Sequence, residues 1–202
     1  MADLASLFRA HMSDKDRNGY SSLYSALFTH LREAPISLLE VGIGTMIPGV
    51  NSSMKGYASD EYKPGASLRA WRDWFPNALI RGVDVQMDCM FYEDRIETYP
   101  VDSTDAWACR VWLESPLQQF DIIIDDGSHY DQHQLATLKN LWPALKPGGY
   151  YVIEDVIPDS LVSREPHRVY EIVGDVAIFF AGLKNNLCVI HKVPLACCRE
   201  HF

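Results

Sequence analysis

Phe120-Asp121-Ile122-Ile123-Ile124-Asp125-Asp126-Gly127-Ser128-His129 is the stretch on which the fold turns. Three successive isoleucines read as a strand buried on both faces, which is the habit of parallel sheets covered by helices. The run stops in two carboxylates, a glycine and a serine, so the chain leaves the sheet there. Downstream, 131–145 has helical spacing, Lys146-Pro147-Gly148-Gly149 reads as a turn, and Tyr150 to Glu154 as the next strand. Upstream, Ser37 to Gly42, Leu79 to Val85 and Arg95 to Val101 read as three more strands, with a helix from Ser67 to Phe75 among the segments between them. Strands alternating with helices predict an α/β domain with a mostly parallel sheet flanked by helices.

The ends fit the same plan. Residues 1–36 form a helical opening segment through Leu23, Leu27 and Leu31. After Pro166 come a helix and two apolar runs, Val176 to Phe180 and Leu187 to Val193, which predict a closing antiparallel hairpin. The polar loop from Thr45 to Gly65 is long for a compact domain and is a candidate lid. With 202 residues, 48% of them apolar, one core and a single domain over 1–202 are expected.

A net charge of -9 without a basic run argues against nucleic acid or anionic membrane as partner and favours small molecules or neutral glycans. No segment has the length of a bilayer span or the order of a signal peptide, so the expected location is the cytosol. Cys89, Cys109, Cys188, Cys197 and Cys198 show neither zinc-site nor disulfide-framework spacing and are expected as reduced thiols. A homo-oligomer is compatible with the chain.

Gly42-Ile43-Gly44-Thr45 follows the first strand, where glycines permit a sharp turn and close approach to a ligand. A dinucleotide fingerprint would want a third glycine at 47, where Ile47 stands, and this counts against a nicotinamide cofactor. Asp84 ends the second strand, where a carboxylate accepts hydrogen bonds from both ribose hydroxyls of an adenosine, or merely forms a turn. Asp102, with Ser103 beside it, is suited to the adenine amino group. Glu40, inside the first strand, needs donors: turn amides or a ligand amino group could supply them.

Asp125-Asp126 and Glu154-Asp155 end strands expected to be neighbours, about 5 Å apart. Four carboxylates so placed repel unless a cation or protons intervene. Oxygen donors of this kind suit Mg²⁺, with Mn²⁺ or Ca²⁺ as substitutes, and the assignment is Asp126, Glu154 and Asp155 to the metal with Asp125 facing the cofactor. Carboxylates capping the following segments would explain one such pair but not two. His129 titrates near neutrality and is the candidate base, with His133 one turn later either structural or an outer support of the site. Trp71, Trp74 and Tyr130 offer flat faces for a sugar ring, or are packing.

Leu39-Glu40-Val41-Gly42-Ile43-Gly44, the acids at Asp84 and Asp102 and the turn at 145–149 together resemble the ordered motifs of class I S-adenosylmethionine methyltransferases, over about Ser37 to Val156. The resemblance implies a Rossmann-like fold with a seven-stranded sheet and S-adenosyl-L-methionine as donor, held by Glu40, Gly42, Gly44, Asp84, Asp102, Ser103 and Asp125. Ile124 to His129, followed by Tyr151-Val152-Ile153-Glu154-Asp155, resembles a narrower group, the metal-dependent sugar O-methyltransferases of macrolide and related glycoside biosynthesis, with cephalosporin hydroxylase-like proteins related in fold. In that group the matching acids bind Mg²⁺ and the matching histidine is the base, which implies Asp126, Glu154 and Asp155 as ligands and His129 as base. Gly65-Ala66-Ser67-Leu68 with Trp71 also resembles the group and implies Ser67 near the cofactor; Asp14-Lys15 with Tyr20 and Tyr24 resembles a further element. Asn18 departs from the histidine usual there, and the group's large amino-terminal domain is not expected.

The implied activity is methylation of a sugar hydroxyl, a deoxyhexose such as rhamnose, free or in a glycan or glycoside. The alternatives are a catechol or other small hydroxylated acceptor, a nicotinamide-dependent oxidoreductase, and a cofactor-binding protein without turnover.

Overall fold

The computed structural model describes residues 2–50, 53–114, 118–157, 159–174, 177–181 and 186–193. The chain divides into two compact units, residues 1–102 and 103–202.

In the first unit, α1 (Leu4–Ala10) and α2 (Ser21–Phe28) precede β1 (Ser37–Val41), α3 (Ala66–Trp74), β2 (Leu79–Asp84), β3 (Tyr92–Glu93) and β4 (Ile96–Pro100). Asp3 caps α1 by accepting from the Ser6 amide at 2.7 Å, which satisfies one of the free donors of the first turn. The strand order is β3-β4-β2-β1, with β1 parallel to β2, β2 parallel to β4, and β3 antiparallel to β4. α2 buries Tyr24 and Phe28, with Tyr20 just before it, rather than the leucines at 23 and 27. Both stripes have helical spacing, and the aromatic one removes more apolar area from water. Trp71 from α3 receives it: its ring centroid lies 4.9 Å from Phe8 and 5.2 Å from Tyr24, both edge-on. α3 lies close on β2 because position 82 is glycine, where a Cβ would sit 2.6 Å from Leu68 Cδ1.

In the second unit, α4 (Ala106–Glu114), β5 (Phe120–Asp125), α5 (Asp131–Leu141), β6 (Leu145–Ile153), α6 (Leu161–Arg164), α7 (Pro166–Val173), β7 (Ala177–Ala181) and β8 (Leu187–His191) follow in order. The order is β5-β6-β8-β7, with β5 and β6 parallel and the other two pairings antiparallel. β7 and β8 form the expected hairpin; Val176 of that expectation, like Cys197 and Cys198, lies outside the described residues. Cys89, Cys109 and Cys188 are free, buried thiols. Seven strands of five residues or more, plus the two-residue β3, make the sheet mixed.

Two boundaries differ from expectation. α5 stops at Leu141 and continues as a 3₁₀ turn over Trp142–Ala144, because Pro143 has no amide to extend an α-helix. The Lys146–Gly149 turn lies inside β6 as an insertion, since β5 moves two residues from Phe120 to Ile122 while β6 moves five from Leu145 to Tyr150. Gly148, at φ 84°, makes the excursion possible, and β8 accommodates it through a 2.6 Å bond from the Gly148 amide to the Lys192 carbonyl.

Candidate active site

The acids of the second unit come together because β5 and β6 are parallel and end in register, Asp125 opposite Ile153. The pairing runs one step further, with the Glu154 amide donating to the Asp125 carbonyl at 2.9 Å. Asp126 and Asp155 thus leave adjacent strand ends, and His129 closes the group. Its Nε2 lies 3.2 Å from Asp126 Oδ1 and 3.6 Å from Asp155 Oδ2. One ligand atom from each of the three lies within 4.8 Å of the others. His129 and Asp155 adopt left-handed backbone, at φ 60° and 51°. Non-glycine residues held there are uncommon and cluster at functional sites.

Electrostatics agree with this grouping. Burial opposes a charged His129 imidazole, but the hydrogen bond to Asp126 and the charges of Asp126, Asp155 and Asp125 outweigh it and raise its pKa above the ordinary value. Asp125 is 3% exposed, and burial, against a bond from the Gly127 amide and with the Asp126 charge adding to it, pushes its carboxyl up to about 7. Its Oδ2 has no hydrogen-bond partner among the described residues. Glu154, 1% exposed, is not one of the three converging groups.

Asp126 and Asp155 offer two half-buried carboxylates on neighbouring loops, oxygen donors of the kind that accept Mg²⁺ or Mn²⁺, so the residues present fit a divalent ion with His129 beside it. Beside them is a cavity of about 440 Å³ lined by His129, Tyr130, Asp131, Gln132, His133, Ile157 and Leu161. Tyr130 is 55% exposed, its ring set edge-on against His133 at 5.4 Å between centroids. Trp71 and Trp74, at 0% and 2% exposure, are core packing of α3, the second of the two readings open for them.

In the first unit the glycine turn is as expected. Gly42 and Gly44 have φ 79° and 83°, and a Cβ at Gly44 would overlap the Tyr62 hydroxyl. Asp84 braces the turn, accepting from the Ile43 amide and the Gln86 amide, both at 2.9 Å. A carboxylate has further lone pairs, so these bonds leave room for a diol. The ends of the long loop are pinned: the Gly65 amide donates to the Ile43 carbonyl at 2.7 Å, and Asp88 accepts from the Thr45 hydroxyl at 2.7 Å and the Met46 amide at 3.0 Å.

Glu40 differs from expectation in its partners. Its carboxylate accepts from Ser67 Oγ at 2.6 Å and Trp71 Nε1 at 2.7 Å, and Lys15 Nζ lies 3.3 Å away. Ser67 is therefore engaged by Glu40. Asp102 is exposed at the end of the first unit. Ser103, in the second, pairs with Thr137 Oγ1 at 2.8 Å.

Sequence reasoning gave no role to Lys15 or Asp88. A carboxylate in mid-strand demands a cation, and Lys15 was the signal available. For Asp88, four residues past β2, there was no comparable signal.

No family model matches the chain. Over 156 residues it is 39% identical to the 8-demethyl-8-(2-methoxy-α-L-rhamnosyl)-tetracenomycin-C 3'-O-methyltransferase of Streptomyces olivaceus, covering 76% of this chain and 37% of that one. Over 133 residues it is 37% identical to the demethylmacrocin O-methyltransferase of Streptomyces fradiae, covering 66% of this chain and 30% of that one. The chain thus spans about a third of the length of the curated relatives it matches. Among solved structures, MycE methyltransferase of the mycinamycin pathway, in complex with Mg, SAH and mycinamycin VI, superposes with a TM-score of 0.78 at 24% identity, over 96% of this chain and 55% of that one. By sequence the chain is a homologue of the sugar O-methyltransferases, and its fold is the Rossmann-like α/β fold of class I methyltransferases.

Proposed function

We propose that the protein is a divalent-metal-assisted O-methyltransferase that moves a methyl group from S-adenosyl-L-methionine to a hydroxyl of a sugar, a deoxyhexose such as rhamnose, free or in a glycoside. The observation that carries this reading is the convergence of Asp126, His129 and Asp155 at adjacent strand ends. The relatives' names add the acceptor class, since they act on rhamnosyl tetracenomycins and a macrocin precursor.

In this account Asp126 and Asp155 would hold Mg²⁺ or Mn²⁺, with Glu154 as the third ligand that the resemblance implies although it lies outside the converging group, and the ion would supply Lewis acidity to a sugar hydroxyl. The His129 imidazole takes the proton of the hydroxyl to be methylated, and Asp126 Oδ1, 3.2 Å from Nε2, stabilises the imidazolium that results. Tyr130 and Ile157 line the acceptor side. On the donor side the Gly42 and Gly44 turn gives close backbone approach, and Asp84 accepts from the ribose hydroxyls. Asp102 and Ser103 serve the adenine, and Asp125 faces the cofactor. Glu40 and Ser67 shape this side by bonding each other.

The test is calorimetry with S-adenosyl-L-methionine, then a methyl-transfer screen over rhamnosides, other deoxyhexosides, nucleotide-linked sugars and catechols. Transfer to a deoxyhexose supports the reading. Transfer to catechols alone, or donor binding without turnover on any acceptor, contradicts it.

A further inference from the structure

His129 and Asp155 hold left-handed backbone, a conformation that is costly for a non-glycine residue unless its surroundings impose it. The first turn of α5 bonds the residue before each of them. His133 Nδ1 lies 2.7 Å from the hydroxyl of Ser128, the residue before His129. Gln134, 3% exposed, donates from Nε2 to the carbonyl of Glu154 at 3.0 Å. That carbonyl belongs to the peptide joining Glu154 to Asp155, so the bond fixes the plane from which the φ of Asp155 is counted. The other end of the amide, Gln134 Oε1, has no partner among the described residues, so burial of this polar side chain is offset by that one bond alone. Consecutive helix residues project about 100° apart, which lets one turn reach two loops.

We propose that His133 and Gln134 are positioning residues, a two-armed brace on one helical turn that sets the spacing of Asp126, His129 and Asp155. The inference rests on the metal-assisted reading of that site. His133, which also lines the cavity beside the site, acts through Ser128, and Gln134 through the Glu154 carbonyl. Outer partners that orient a metal site typically change its affinity about 10–100-fold when removed.

The probe is Mn²⁺ titrated calorimetrically into metal-free protein, with the thermal midpoint of each variant as a fold control. Gln134→Met, which keeps shape and removes the donor, and His133→Leu should each weaken Mn²⁺ binding about 10-fold or more. His133→Asn, which keeps a hydrogen-bonding atom near the place of Nδ1, should restore most of the loss. If His133→Leu fails to fold, Ser128→Ala removes the same bond from its other end. Wild-type affinity in Gln134→Met together with His133→Leu or Ser128→Ala overturns the brace while leaving the metal reading intact. Absence of Mn²⁺ binding in the wild type overturns both.

Discussion

Lys15 Nζ lies 3.3 Å from Glu40 Oε1, and both side chains are 1% exposed. A buried pair of this kind adds little over apolar packing, yet removing one partner strands a charge. Lys15→Met should therefore cost about 3–5 kcal/mol of unfolding free energy. Adding Glu40→Gln to it should recover a large part, because Trp71 can still donate to the amide oxygen while the Ser67 hydroxyl accepts from the amide nitrogen. Denaturant midpoints of the two single variants and the double variant measure the coupling. Strictly additive losses would show that the two charges do not depend on each other.

Asp125 gives a pH dependence with a definite sign. An unfolded aspartate loses its proton near 3.9, whereas the folded one keeps it up to about 7. Between those values the native state binds more protons, so stability falls as pH rises, and the loss is complete above about 7. Asp125→Asn cannot ionise and escapes the loss. In metal-free protein its thermal midpoint should exceed that of the wild type by roughly 8–16 °C at pH 8 and match it near pH 4. A constant difference across pH would show that burial of Asp125 is not the cause.

His129 has the opposite linkage. Its raised pKa means that the folded state favours the imidazolium, so its contribution is full below the unfolded value of about 6.5 and fades as pH climbs through the folded one. His129→Gln should lose that low-pH advantage in metal-free protein. In the loaded enzyme it should lower kcat by roughly 10²–10⁴-fold with donor affinity unchanged, and the acidic limb of the pH-rate profile should vanish. Persistence of that limb would assign the proton transfer elsewhere.

The alternation of strands and helices was legible because period and punctuation agreed: Ile122 to Ile124 could only be an interior strand, and β5 falls on the expected residues. The meeting of Asp126 with Asp155 was legible for the same reason, since parallel neighbours that end in register bring their carboxyl-terminal loops together. Less legible was anything set by a side chain reaching across the chain. Glu40 was recognisable as a carboxylate in need of partners, but that Ser67, Trp71 and Lys15 supply them depends on how α3 and the segment before α2 pack. Trp71 and Trp74 have the same composition signal whether they stack on a sugar or fill a core, and only burial separates the two. The insertion at Lys146–Gly149 was read as a turn; that β6 begins before it depends on its pairing with Phe120.

The central claim is that acids from two distant parts of the chain share one divalent ion that the reaction needs. Transfer of labelled methyl from S-adenosyl-L-methionine to a deoxyhexoside, followed with Mg²⁺, with excess chelator, and after Mg²⁺ or Mn²⁺ is restored, tests it most directly. Turnover should stop in chelator and return with either ion in the wild type, while Asp126→Ala and Glu154→Ala stay inactive with donor binding intact. Undiminished transfer in the chelator, or full activity in Asp126→Ala, would contradict it.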